Sequence, residues 1–382
     1  MPEFVEGNEN IHRNAINKQL NIVLLEPFFS GSHQQWAEGL QKYSRHNIVI
    51  LSLPGRHWKW RMHGGAVSLA KQFNELNNQP DLILGTSMLD FSTFIGLTKD
   101  KSAGIPTAIY FHENQLTYPW SPQDRDVKHK RDNHYAFINY TSAIVADKVF
   151  FNSVYHLESF IGALPKFLNQ FPDKREKENI DFIQQKSEVL HLGMDLFRFD
   201  KFRHHTVNDE PVLLWNHRWE YDKNPKEFFE ILFKLEDEGI KFKLIVLGEQ
   251  NDMNPPIFDE AKSKLKNRIL HWGYAETFEE YARLLWKADI LPVTSNQDFF
   301  GGSVVEAMYC GCFPVLPNRL VYPEHLSDQQ IEECLYTDGE LFEKLRSTIK
   351  KWVNQEFSFD VKRYDWNRII NQYDCTFTSL AK

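Results

Sequence analysis

The stretch Asn21-Ile22-Val23-Leu24-Leu25-Glu26-Pro27-Phe28-Phe29-Ser30-Gly31-Ser32-His33 sets the pattern of the whole chain. A short apolar, β-branched run passes through a turn holding one glycine into Gln34–Tyr43, a segment of helical period. The rhythm then repeats. Asn47–Leu51, Asp81–Leu84, Thr107–Phe111 and Lys148–Phe151 read as strands, and Val67–Leu76 and Asn133–Ala143 as helices. Apolar strands alternating with helices predict a parallel sheet covered on both faces.

Phe167–Lys186 breaks the rhythm with Pro172 and the charge run Asp173-Lys174-Arg175-Glu176-Lys177-Glu178, and reads as a solvated surface excursion. A second cycle follows: Pro211–Trp215, Lys243–Leu247, Arg268–Leu270, Asp289–Val293 and Phe313–Leu316. Its 382 residues suit two domains at roughly 150 residues each. The expected organisation is a disordered leader over 1–19, Rossmann-like doubly wound domains over 20–195 and 196–360, and a linker near 192–210. A C-terminal helical segment over 361–382 would pack back on the first domain. Ligands of open α/β sheets bind beyond the carboxyl ends of the strands, so the expected site is a cleft between two facing domains.

Composition narrows the class. Charged residues are 25% and hydrophobic residues 42%, with 44 basic against 52 acidic residues, a net charge of −8. Nucleic-acid binding would therefore need a local basic patch. Apolar runs such as Ile22–Leu25 fall far short of the ~18 residues of a membrane span. The N-terminus carries Glu3, Glu6 and Glu9 without an apolar stretch, which argues against a secretory signal. Cys310, Cys312, Cys334 and Cys375 suit a reducing cytoplasm, and Cys310-Gly311-Cys312 reads as small residues packed under a helix end.

Four strand-end loops carry polar chemistry. Gly31, Ser32 and His33 open a helix, where backbone amides and the helix dipole favour an anion. His112-Glu113-Asn114-Gln115 follows the fourth strand, as a site or as a capping and buried structural histidine. In His217-Arg218-Trp219-Glu220-Tyr221-Asp222-Lys223, Arg218 and Lys223 lie five residues apart, within reach of one diphosphate or of surface ion-pair partners. In Asp298-Phe299-Phe300-Gly301-Gly302-Ser303-Val304-Val305-Glu306, the glycines open a helix with free amides. The two carboxylates suit sugar hydroxyls better than phosphates.

This last set resembles the retaining GT-B glycosyltransferases of family 4, which usually have Glu where this chain has Asp298. More narrowly, Glu26–His33, Trp58-Lys59-Trp60-Arg61, Tyr110–Pro119, Phe151-Asn152-Ser153, His217–Glu220, His271-Trp272-Gly273-Tyr274 and Tyr309–Cys312 resemble the tRNA-queuosine α-mannosyltransferase family, over Asn21 to Glu324. The resemblance implies a GT-B enzyme moving mannose from GDP-mannose to the cyclopentene-diol of queuosine at a tRNA wobble position. It implies that Arg218 and Lys223 hold the diphosphate, with Gly31, Ser32, His33, Phe300 and the Gly301-Gly302-Ser303 amides on the donor. Glu306 would take the ribose, Asp298 the mannose, and the loop of His271, Gly273 and Tyr274 the guanine. His112 would stand at the reacting sugar, making His112, Asp298, Arg218 and Lys223 the catalytic set.

Cations and helix amides lie where charge grows on the leaving diphosphate. No aspartate motif for a metal is present, so neither metal nor cofactor is expected beyond the donor. Retention without an evident enzymic nucleophile suggests same-face attack. Arg56, Trp58, Lys59, Trp60 and Arg61 interleave cations with tryptophans, a composition suited to unstacked RNA bases or to a packed aromatic pair with solvated charges. They and Glu113, Asn114 and Gln115 form the acceptor set, with Arg125, Lys128, Lys130 and Arg131 as an uncertain addition. No membrane partner is expected, and the oligomeric state is open, with a monomer favoured. Three alternatives remain: a family 4 transferase acting on lipid or polysaccharide, a non-catalytic RNA-binding protein of the same fold, and a sugar-nucleotide epimerase.

Overall fold

The computed structural model describes residues 18–121, 126, 133–204, 208–249, 255–353 and 357–381. The leader, apart from 18–19, lies outside them, as do Arg125, Lys128, Lys130 and Arg131 of the second basic stretch. The chain divides into two compact units, residues 1–194 with 366–382, and residues 195–365.

The first unit runs β1 (Asn21–Phe29), α1 (Gly31–Tyr43), β2 (Asn47–Pro54), α2 (Trp58–Glu75), β3 (Leu82–Thr86), α3 (Phe91–Ser102), β4 (Thr107–Phe111) and α4 (Asn133–Val145). It continues through β5 (Lys148–Phe151), α5 (Val154–Leu168), α6 (Glu178–Gln185) and β6 (Ser187–Val189). Its parallel sheet has the order β2-β1-β3-β4-β5-β6. β3 and β4 are buried throughout, as strands covered by helices on both faces must be. Order reverses between β1 and β3, so the loops after these strands frame a natural ligand position.

Two readings of the sequence are corrected here. The charge run hides α6 and β6: Ile183 is fully buried in the core, and Ile180 packs beside it. The two isoleucines, three residues apart, form a one-turn apolar stripe that the surrounding charges mask. The expected linker is also largely structured. Leu196 and Phe199 are buried, and Phe197–Phe202 forms a 3-10 helix whose first amides, Leu196 and Phe197, donate to Asp365 Oδ2 at 2.8 and 2.9 Å.

The second unit contains β7 (Val212–Asn216), α7 (Pro225–Asp237), β8 (Lys243–Leu247), α8 (Ile257–Lys264), β9 (Ile269–Gly273), α9 (Phe278–Lys287), β10 (Ile290–Pro292) and α10 (Gly302–Tyr309). Then come β11 (Phe313–Pro317), α11 (Asp328–Cys334), β12 (Leu335–Tyr336) and α12 (Leu341–Lys351). The parallel order β12-β11-β10-β7-β8-β9 is the Rossmann order and reverses between β7 and β10. Cys310 and Cys312 are buried at the end of α10, unbridged.

The last helix, α13 (Trp366–Leu380), belongs to the first unit. Trp366 lies against Gly39 and Gly193, where a Cβ would meet its ring at 2.1 and 2.4 Å. Trp36 Nε1 donates to the Tyr373 hydroxyl at 3.2 Å, joining α13 to α1. Such buried aromatic pairs add to the area they remove from water. Among the described residues no helix is long and apolar enough to cross a membrane.

Candidate active site

In the second unit the loop after β7 is tied to the loop after β10. Asn296 N donates to the Asp222 carbonyl at 2.7 Å, and the Thr294 hydroxyl reaches the Lys223 carbonyl at 2.9 Å. Tyr221–Lys223 forms a 3-10 turn, and Pro225 opens α7, where its missing N–H costs nothing. Lys223 is thereby buried. Its Nζ contacts the Gln297 carbonyl at 2.7 Å, Asp298 Oδ1 at 2.9 Å and Asp222 Oδ2 at 3.3 Å. An ammonium has three donor directions, and all three have partners within the protein. Burial opposes the charge on Lys223, but Asp298 and Asp222 outweigh it and raise its pKa. Burial likewise opposes charge on Asp298, yet Lys223, His217 and Tyr322 hold its pKa below the usual value. The Tyr322 hydroxyl donates to Asp298 Oδ2 at 2.5 Å.

Arg218 stands differently. Its side chain is 57% exposed and pairs with Glu220 at 3.2 Å. Gly301 caps α10 in the left-handed region, φ 72°, and Gly302 and Ser303 form its first turn. Glu306, one turn further, is held at both oxygens: the Tyr281 hydroxyl donates to Oε2 at 2.6 Å, and Arg198 lies 3.5 Å from Oε1. Burial raises its pKa against these two partners. Asn216 links the ends of β7 and α10, its Nδ2 donating to Tyr281 at 2.9 Å and to the Ser303 carbonyl at 2.9 Å.

Two groups of donor residues stand in surroundings that the sequence did not indicate. His271 and Gly273 belong to strand β9 at the edge of the sheet rather than to a loop, while Tyr274, just beyond, is 62% exposed. Phe300 turns its ring into the core, packed at 4.9 Å on Tyr364, and offers its carbonyl to His325 Nε2 at 2.7 Å. A fully packed ring has no face for a nucleotide.

In the first unit Glu26, within β1, meets His33 of α1 and His112, which follows β4. Glu26 is fully buried; Oε1 accepts from the Phe28 amide at 2.9 Å and Oε2 from His33 Nδ1 at 3.2 Å. The His33 and His112 rings lie 4.3 Å apart, and Trp36 meets His112 edge-on at 4.7 Å. Burial would lower the His33 pKa, but Glu26 raises it above the ordinary 6.5. Burial, then the neighbouring His33, drives His112 well below it. The two imidazoles are thus pushed in opposite directions, His33 toward its charged form and His112 toward its neutral form. The three side chains offer ligand atoms within 4.8 Å of one another, a spacing open to a divalent cation, although the Glu26 carboxylate already serves His33 and Phe28.

The acceptor residues divide as well. Trp58 begins α2 and packs on Tyr135 at 5.0 Å. Lys59 pairs with Asp126. Trp60 is 64% exposed, Arg56 is exposed, and Arg61 Nε donates to the Pro54 carbonyl at 3.1 Å. Asn114 is fully buried; its Oδ1 accepts from the Leu116 and Thr117 amides at 3.0 and 3.1 Å and shapes the turn, while its Nδ2 is buried with no partner. Glu113 and Gln115 stay half-buried, joined at 3.1 Å. Sequence reasoning missed Glu26, Arg198, His217, Tyr281 and Tyr322 as partners of the site. For Glu26 a signal existed, a carboxylate ending an apolar strand; Arg198, Tyr281 and Tyr322 arrive from distant elements.

Two parallel sheets of this order, with a basic strand-end loop and an acidic helix start, suit a glycosyltransferase of the GT-B fold. Residues 197–367 match the family model for glycosyl transferases group 1, and residues 21–194 match that for the tRNA-queuosine alpha-mannosyltransferase N-terminal region. The chain is 34% identical over 371 residues to the tRNA-queuosine alpha-mannosyltransferase of Drosophila melanogaster, covering 92% of this chain and 95% of that one. Among solved structures it shares its fold with the sucrose-phosphate synthase of Thermosynechococcus elongatus (TM-score 0.60, 14% identity, 95% and 94% covered). It also shares it with Anabaena HepE in complex with UDP (TM-score 0.57, 15% identity, 94% of both chains). The chain belongs to the tRNA-queuosine alpha-mannosyltransferase family.

Proposed function

We propose that this glycosyltransferase moves mannose from GDP-mannose to the cyclopentene-diol of queuosine in a tRNA. The observation that carries the reading is the 34% identity to the Drosophila enzyme, running through both units. In the proposed reaction the anomeric carbon's bond to the diphosphate oxygen breaks and a queuosine hydroxyl bonds to that carbon on the same face. The hydroxyl proton passes to the departing phosphate. Negative charge grows on the diphosphate, where Arg218 and the Gly301–Ser303 amides are assigned. Preorganised donors of this kind usually supply the largest share of catalysis.

Lys223 is assigned a different task from Arg218: it holds Asp298 ionised for the mannose hydroxyls and adds its positive field. Glu306 accepts from the ribose, and the end of β9 with Tyr274 offers backbone and ring to guanine. Neutral His112 is assigned to the reacting sugar. The charge developing in the step is met by the chain's own cations and amides, so no metal or cofactor enters it. Trp60, Arg56 and Arg61 suit the stacked bases and phosphates of a single-stranded loop.

The test is transfer of labelled mannose from GDP-mannose to tRNA with and without queuosine. Label confined to the queuosine-bearing RNA is expected. Label in both, or in neither, contradicts the reading.

A further inference from the structure

We infer that His217 is a further donor-binding residue, an uncharged imidazole whose Nε2–H bonds the diphosphate of the nucleotide sugar. The inference rests on the donor assignment above. His217 directly follows β7 and is 5% exposed. Its backbone is fixed from two sides: Trp215 Nε1 donates to its carbonyl at 3.0 Å, and at Gly248 (φ 136°) a Cβ would lie 2.2 Å from that same oxygen. The ring is thus held with Nδ1 3.4 Å from the Ser303 hydroxyl, in the first turn of α10. Its other nitrogen, Nε2, is buried with no partner.

Leaving a buried ring nitrogen unpaired is unfavourable, and such groups in native proteins usually await a ligand or a water. The neighbourhood selects the ligand's charge. The start of α10 presents free amides and the positive end of its dipole. Lys223 adds a fixed cation nearby. Gln297, 4% exposed and next to Asp298, also carries a buried amide nitrogen with no partner. Lys223 is already paired with Asp298 and Asp222, so the anion-selecting groups are the two unpaired nitrogens and the helix start, which together suit a ligand with several oxygens.

The same surroundings keep the imidazole neutral. Burial first and Lys223 second push its pKa down to about 4. In the assigned tautomer Ser303 donates to Nδ1, so that the single proton resides on Nε2 and points a donor outward from the ring. A protonated histidine would bind phosphate only at low pH, whereas this one serves across the neutral range.

The experiment is calorimetric titration of the full chain and of His217→Ala and His217→Gln with GDP and with guanosine. The alanine variant is expected to bind GDP about tenfold or more weakly while guanosine binding stays within twofold. Glutamine, whose amide N–H occupies similar space, recovers part of the loss. Wild-type GDP affinity shows no step near pH 6.5 that disappears in the alanine variant. Unchanged GDP affinity in His217→Ala, or equal losses for GDP and guanosine, overturns the inference while leaving the donor assignment intact. Wild type that binds UDP and not GDP overturns the mannose-donor reading instead, and the variants are then scored with UDP against uridine. Binding of no nucleoside diphosphate overturns both.

Discussion

Each unit buries a carboxylate at the carboxyl end of its sheet, and the two neutralise it with different cations. In the second unit Asp298 and Asp222 face Lys223; in the first, Glu26 faces His33. The lysine pair is built for a constant charge. Asp298 has a depressed pKa, so its contribution is present above 3.8 and is lost as pH falls through the depressed value. Lys223 has a raised pKa, so its share persists below 10.5 and fades only as pH rises beyond. Between those limits the site that would hold a diphosphate keeps its charges. The histidine pair behaves otherwise. With the His33 pKa raised above 6.5, its contribution is complete below 6.5 and is lost as pH climbs through the raised value.

The comparison breaks most directly at Lys223. Lys223→Met leaves two carboxylates buried without their cation, a loss of about 3–5 kcal/mol in chemical denaturation. Transfer activity should disappear with it. Arg218→Ala tests the exposed member of the same loop: stability should stay within ~0.5 kcal/mol of wild type. Its turnover should fall ~10²–10³, as for other lost transition-state donors. Equal stability losses for the two variants would erase the distinction drawn between them.

Glu26→Gln sharpens the other half. It should cost about 1–3 kcal/mol at pH 5.5. The gap from wild type should narrow as pH rises through the His33 transition, and a gap that widens above pH 7 would contradict the assignment. The smallest effect belongs to the basic start of α2. Arg56→Ala and Arg61→Ala should each lower the salt slope of tRNA binding by roughly one. Lys59→Ala should lower it less, because Asp126 already takes part of its charge.

The strands and the order of elements were legible because continuous apolar runs and helical segments alternate so regularly; Thr107–Phe111 and Lys148–Phe151 match the structure to the residue. α6 escaped because buried Ile183 and half-buried Ile180 follow directly on a charge run. At the site, Arg218, Lys223, Asp298 and Glu306 could be picked out by residue type and spacing. Their pairing could not, since it depends on how two strand-end loops meet: the same Lys223 could have faced solvent. Tyr281 and Tyr322 come from a helix and a turn remote in sequence, and an isolated tyrosine carries no signal of the carboxylate it will serve. Asn114 shows how one side chain can serve two ends: its oxygen is spent on its own turn, and its Nδ2 is buried with no partner.

Hydrogen exchange of the full chain with and without GDP tests the location of the donor most directly. Slowed exchange at the amides of 217–224 and 298–306 is the expected result. Protection confined to 26–33 and 112–118, with the loops after β7 and β10 exchanging as before, would contradict it.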